Sequence, residues 1–143
     1  MGVNVREHKG TYRYLTFGLL TLLFSTSLAV IAFGGQLEDA IAAYERGDYG
    51  EAYRLIKPLA EQGQPEAQYN LGGMYFRGRG VPRDFVLAHM WFNLSVSRVP
   101  ASERETRKAT EIIIDLVASK MTPEQIAEAQ RLAREWKPKK EGK

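Results

Sequence analysis

The residues able to do chemistry in this chain are few, and their spacing argues against catalysis. Histidine occurs only at His8 and His89, and cysteine is absent. Without thiolates a zinc site would need His89 and carboxylates together, yet none stands at i+3 or i+4 from it. A serine–histidine–aspartate set can be written from Ser95, His89 and Asp84, but all three fall within one helix and its cap. A nucleophilic serine needs a strained turn with backbone donors nearby, and nothing here supplies one. Glu38 with Asp39, and Glu103 with Glu105, are paired carboxylates placed where helices begin, where acidic groups stabilise the dipole. Gly72, Gly73, Gly78 and Gly80 are no phosphate loop, because no Lys-Ser/Thr follows and no strand precedes. No catalytic residue, metal ligand or cofactor is assigned, and His89 reads as a helix residue at a hairpin surface.

The elements that position these residues centre on Ala60 to Asn93. Ala67, Leu71 and Tyr75, with Met74 beside them, form an apolar stripe of helical period. Gly72 lies inside that stripe, where glycine costs about 1 kcal/mol relative to alanine. Its presence predicts that a neighbouring helix approaches over the missing side chain. Gly78 to Pro82 stop this helix, and Asp84 is placed to cap the next, which carries Phe85, Ala88, Trp91, Phe92 and Ser95. Met90, Trp91 and Phe92 are assigned to the core. The pair is an αα-hairpin.

The pattern recurs 36 positions upstream, where Asp48, Tyr49, Ala52 and Leu55 align with Asp84, Phe85, Ala88 and Trp91. The segment Tyr44 to Gly47 matches Tyr75 to Gly78, with Arg79 to Arg83 inserted in the second copy. Self-similarity at this period marks a helical solenoid. The Leu71, Gly72, Tyr75 core resembles tetratricopeptide repeats. The longer corner (Gly78, Gly80, Val81, Pro82, Asp84) is similar to that of the Sel1-like repeat family. That resemblance covers Gln36 to Trp136 and implies an all-α solenoid of αα-hairpins whose first helices line a concave, partner-binding face. Transferring the repeat register puts Glu66, Tyr69, Gly73, Phe76 and Arg77 toward this groove. Tyr69 and Phe76 read equally well as residues packed against the adjoining hairpin. The disulfide-stapled secreted members of the family are a poor guide, since this chain has no cysteine.

Residues 1–33 read separately. Arg6, Lys9 and Arg13 precede an uncharged run from Leu15 to Phe33, the pattern of a signal peptide or an N-terminal membrane anchor. Val30 and Ala32 suit a cleavage site, whereas a 19-residue run is long enough to span a bilayer. Both readings place residues 34–136 outside the cytoplasm: periplasmic or secreted if cut, or anchored at the inner membrane if not. The whole chain has 20 basic and 17 acidic residues. The first 33 hold three basic and one acidic, leaving 17 against 16 in the remainder. A nearly neutral body is not a nucleic-acid footprint. Residues 137–143, with Lys137, Lys139, Lys140 and Lys143, read as a basic, solvated tail.

The first hairpin is expected to be a helix from Gln36 to Arg46, a turn at Gly47, a capping box from Asp48 to Glu51, and a helix kinked at Pro58. The turn and the cap also account for Arg46-Gly47-Asp48 without an adhesion role. After Pro100, a capping box from Ser102 to Glu105 should start a helix with Ala109, Ile112, Ile113, Leu116 and Val117 inward. Its charged face, including Arg107, should point outward. Thr122, Pro123 and Gln125 start the last helix, whose stripe is Ile126, Ala129, Ala133 and Trp136. This final pair should cap the array. The expected function is a non-catalytic, monomeric module binding a protein or peptide in the cell envelope. The alternative is an accessory factor or inhibitor of a peptidoglycan-processing enzyme.

Overall fold

The computed structural model describes residues 35–140, so the expected signal or anchor segment lies outside the described residues. These hold six α-helices and no strand: α1 (35–45), α2 (Tyr49–Glu61), α3 (Pro65–Arg77), α4 (Phe85–Arg98), α5 (Arg104–Ala118) and α6 (Pro123–Glu135). Among the described residues no helix is long and apolar enough to cross a membrane.

Short corners keep successive helices antiparallel. Asp48 caps α2 by accepting from the Glu51 amide at 3.3 Å, but the expected capping box is only half made. The Glu51 carboxylate turns instead to Arg54, at 2.5 and 2.7 Å. Pro58 does not break α2, which continues to Glu61. Its missing N–H deprives the Arg54 carbonyl of its i+4 donor, one bond, and the helix carries on for three more residues. Pro65 takes the first position of α3, and Asp84 caps α4 by accepting from the Leu87 amide at 2.9 Å.

The core runs through the middle of this array. Ile56, Leu59, Leu71, Met74 and Phe92 are each at most 2% exposed, and Ala52, Ala67 and Ala88 lie wholly inside. Fully burying a side chain of the larger kind stabilises by about 1.5–3 kcal/mol. Met90, Trp91 and Phe92 are buried as expected. So is the approach at Gly72, where an added Cβ would stand 3.1 Å from the Phe92 ring of α4. The Ser95 hydroxyl donates to the Pro65 carbonyl at 2.8 Å, tying the far end of α4 to the start of α3.

Sequence reasoning missed Gln68, which is fully buried. Its Nε2 donates to the Ala60 carbonyl at 3.1 Å, so it holds the end of α2 against α3. That carbonyl also accepts from the Gly63 amide at 3.0 Å, so the Gln68 side chain adds a second donor at a helix end whose carbonyls lack intrahelical partners.

The C-terminal helices depart further from expectation. The Ser102 capping box does not form: Glu103 is the N-cap of α5, with no side-chain cap. The Glu103 amide is drawn into a turn on the Pro100 carbonyl at 3.0 Å, which moves the helix start along the chain. Arg107 does not face outward. Its Nη1 donates to the carbonyls of Val96 (3.2 Å) and Val99 (3.0 Å), closing the end of α4. The box starting α6 is complete, with Thr122 and Gln125 bonded reciprocally at 2.9 and 3.3 Å. Helices α5 and α6 each pack on α4 rather than chiefly on one another.

The described part of the basic tail is docked, not free. Trp136 meets Trp91 edge-on with ring centroids 6.1 Å apart, and the Arg98 guanidinium lies 4.6 Å from the Trp136 ring. Beyond it, the Lys139 amide donates to the Glu61 carbonyl at 2.8 Å, and Lys139 Nζ pairs with the Glu61 carboxylate at 2.8 Å. The chain end thereby returns to the last turn of α2.

Candidate functional site

The first helices of the three helix pairs, α1, α3 and α5, line one open cleft of about 370 Å³. Its floor is α3, which contributes Tyr69, Asn70, Gly73, Phe76 and Arg77. Ile41 and Tyr44 of α1 form one wall, and Ile113 and Leu116 of α5 form the other. Four of the five residues expected to face the groove therefore meet in one cavity. The fifth, Glu66, lines an adjoining cleft of about 590 Å³ together with Tyr69, Glu103 and Ala109. Tyr69 borders both.

The floor is held by packing. Tyr69 is 37% exposed, and its ring meets the buried Phe92 edge-on at 5.3 Å, so its outer face is presented by a rigid support. Phe76 is less free: it packs on Phe85 at 5.8 Å and on the cluster of Ala88, Phe92 and Val117. It serves the core as well as the cleft. Gly73 makes room for Arg77, since an added Cβ would come within 2.9 Å of the guanidinium Nη1. Arg77 itself makes one long bond, 3.4 Å to the Gly73 carbonyl, and has no carboxylate partner among the described residues.

Sequence reasoning did not find the walls. Leu116 and Ile112, both expected inward, are 49% and 61% exposed. Helix α5 turns Val117 inward as expected, and Thr110 with it, while Ala109, Ile112 and Leu116 stay exposed. Arg79 was also missed. It donates from Nη1 to the Tyr44 hydroxyl at 3.0 Å, and its guanidinium carbon lies 5.1 Å from the Tyr49 ring centre. The repeat register does not reach these walls: aligning Tyr44 with Tyr75 sets Ile41 and Tyr44 at the packing positions of Gly72 and Tyr75, so only the neighbouring helices in place reveal them.

His89 is not at the hairpin surface, being only 4% exposed. Asn93 Nδ2 donates to the His89 carbonyl at 2.8 Å and to its Nδ1 at 3.0 Å, which requires that Nδ1 carry no proton. Burial holds its pKa below the usual histidine value, opposed by the charge of Asp115. As pH falls, the unfolded chain takes up this proton first, near its ordinary pKa of about 6.5. The stability contributed by neutral His89 is thus fully present above that pH and declines below it. Thermal melts at pH 7.5 and pH 5 should show a loss at the lower pH that His89→Gln largely removes. An equal loss in the variant would assign the effect elsewhere. Among the described residues no group of three or more His, Cys, Asp or Glu stands close enough to hold a metal ion.

Stacked helix pairs with a concave face built by their first helices define a class, the short α-helical repeat proteins. The Sel1 repeat family model matches residues 65–98, which span α3, the corner and α4. A solved structure of a protective antigen present in uropathogenic Escherichia coli strains, displaying an SLR fold, superposes with a TM-score of 0.56 at 30% identity. The match covers 73% of this chain and 22% of that one, so the chain spans about a fifth of its structural relative. No curated protein matches the chain. The chain is a Sel1-like repeat protein. Such repeats generally serve protein–protein interaction and are typically non-catalytic scaffolds.

Proposed function

We propose that the groove on α1, α3 and α5 captures an extended segment of another protein, making the chain a non-catalytic adaptor or scaffold of the bacterial cell envelope. The observation that carries this reading is the cleft itself. It combines an anchored aromatic floor, an aliphatic wall at Ile113 and the exposed Leu116, and an arginine with no carboxylate partner among the described residues. An aromatic or arginine at the centre of a contact commonly carries most of its binding energy. The envelope part of the reading rests on the basic and then uncharged pattern of residues 1–33.

Arg77→Ala tests it. The side chain is exposed and makes no short contact, so helix content and melting temperature should not change. Capture of the partner recovered by pull-down from envelope extract should weaken about 30-fold, the equivalent of about 2 kcal/mol. Unchanged capture would remove the groove from the mechanism. Recovery of the native protein from the cytoplasm with Met1 intact would remove the envelope. Phe76→Ala is a poorer probe, because it disturbs the packing on Phe85 and the core cluster.

A further inference from the structure

The two clefts that meet at Tyr69 differ in charge. The cleft at the C-terminal end of α3 is bordered by Arg77 and Arg79 and by no carboxylate. The cleft at the N-terminal end is bordered by Glu66 and Glu103 and by no cation. None of these four side chains is in an ion pair among the described residues. The body is almost neutral overall, so this separation is local to the groove and not a reflection of net charge. We infer that the groove takes an extended peptide segment carrying opposite charges at its two ends and an apolar residue between them. Its acidic end would lie at Arg77 and Arg79, and its basic end at Glu66 and Glu103. This rests on the groove reading above and specifies the chemistry of what the groove holds.

The spacing follows from helix geometry. Glu66 and Arg77 stand eleven positions apart on α3, about 16 Å along the axis at about 1.5 Å per residue. An extended chain covers that span in about five residues. The segment is therefore about six residues long, with the two charges at its ends. Tyr69, shared by both clefts and seated on Phe92, lies between the charged ends and offers its ring to the central apolar side chain. Matching charges of this kind set the register and the choice of partner more than the raw affinity.

Blocked hexapeptides with phenylalanine near the centre test this on the full-length protein by fluorescence anisotropy. Four kinds are compared: lysine at one end and glutamate at the other, lysine at both, glutamate at both, and glutamine at both. The mixed peptide should bind about tenfold more tightly than any other, for at least one order of its charges. Arg77→Glu should switch the preference to the doubly basic peptide. Glu66→Arg combined with Glu103→Gln should switch it to the doubly acidic one. Both switches are gains of binding, so a misfolded variant cannot imitate them. If the glutamine peptide binds the natural protein as well as the mixed one, the charge order is wrong while the groove reading stands. If no peptide binds, both are overturned. The same holds if sedimentation shows a second copy of the chain occupying the groove.

Discussion

Gly80→Ala should lower the stability of the repeat domain by about 2–4 kcal/mol, a loss large enough to unfold a marginal domain. Two effects add. Gly80 has φ of +74°, where a Cβ costs about 1–2 kcal/mol. The added methyl would also run into the Tyr49 carbonyl, with Met74 Cε 3.0 Å away. The Tyr49 carbonyl is backbone at a helix start and cannot yield cheaply, whereas the end of the Met74 side chain can, and overpacking of this kind costs about 1–3 kcal/mol. Stiffening of the unfolded chain returns at most about 1 kcal/mol. Gly47 supplies the control. Its φ is +83°, but a Cβ there meets nothing within 4 Å, so Gly47→Ala should cost only the backbone part. Chemical denaturation of both variants measures the difference. Equal losses would mean that the corner does not press on the preceding hairpin.

That contact explains why the second corner is longer than the first. The inserted Arg79 and Gly80 are not slack. Gly80 seats against the start of α2, and Arg79 bonds Tyr44 and stacks on Tyr49. This corner fastens its hairpin to the one before it. The extra residues thus serve packing between repeats, the nearest-neighbour term on which a short solenoid depends.

What was legible in the sequence was whatever depends on local spacing. The stripe at Ala67, Leu71 and Met74, the cap at Asp84 and the box at Thr122 require only the chain's own turn-by-turn geometry, and each is found where the spacing puts it. The close approach at Gly72 was legible because a mid-helix glycine has few other uses. What escaped depends on which helix lies across a given face. The apolar ridge of α5 has helical period whether or not anything covers it, so periodicity alone could not show that Ile112 and Leu116 stay exposed. Gln68 and Arg107 look like surface residues in the sequence, yet each ends on carbonyls of another helix. A half-made box such as that at Asp48 needs knowledge of Arg54, the competing partner for the Glu51 carboxylate. In the groove, the residues of α3 followed from the repeat register, whereas its walls required the neighbouring helices in place.

Phe92→Ala should be the most damaging single truncation, at about 3–5 kcal/mol. The ring is 2% exposed, rests on Gly72, supports Tyr69 and joins Ala88 and Val117 in one cluster. Its removal should lower the melting temperature and loosen the groove floor together. The pair Gly72 and Phe92 allows a sharper test. In the natural protein, Gly72→Ala pushes a methyl to 3.1 Å from the ring. The overpacking, about 1–3 kcal/mol, exceeds the helix-propensity gain of about 1 kcal/mol, so the variant should be less stable. In a Phe92→Leu background the ring edge is gone and the methyl has somewhere to go. There the propensity term should dominate, and Gly72→Ala should stabilise by up to about 1 kcal/mol. A double-mutant cycle by denaturant unfolding reads this change of sign directly. If Gly72→Ala has the same sign in both backgrounds, the helix approach is not governed by the Phe92 ring, and the glycine must answer to some other neighbour.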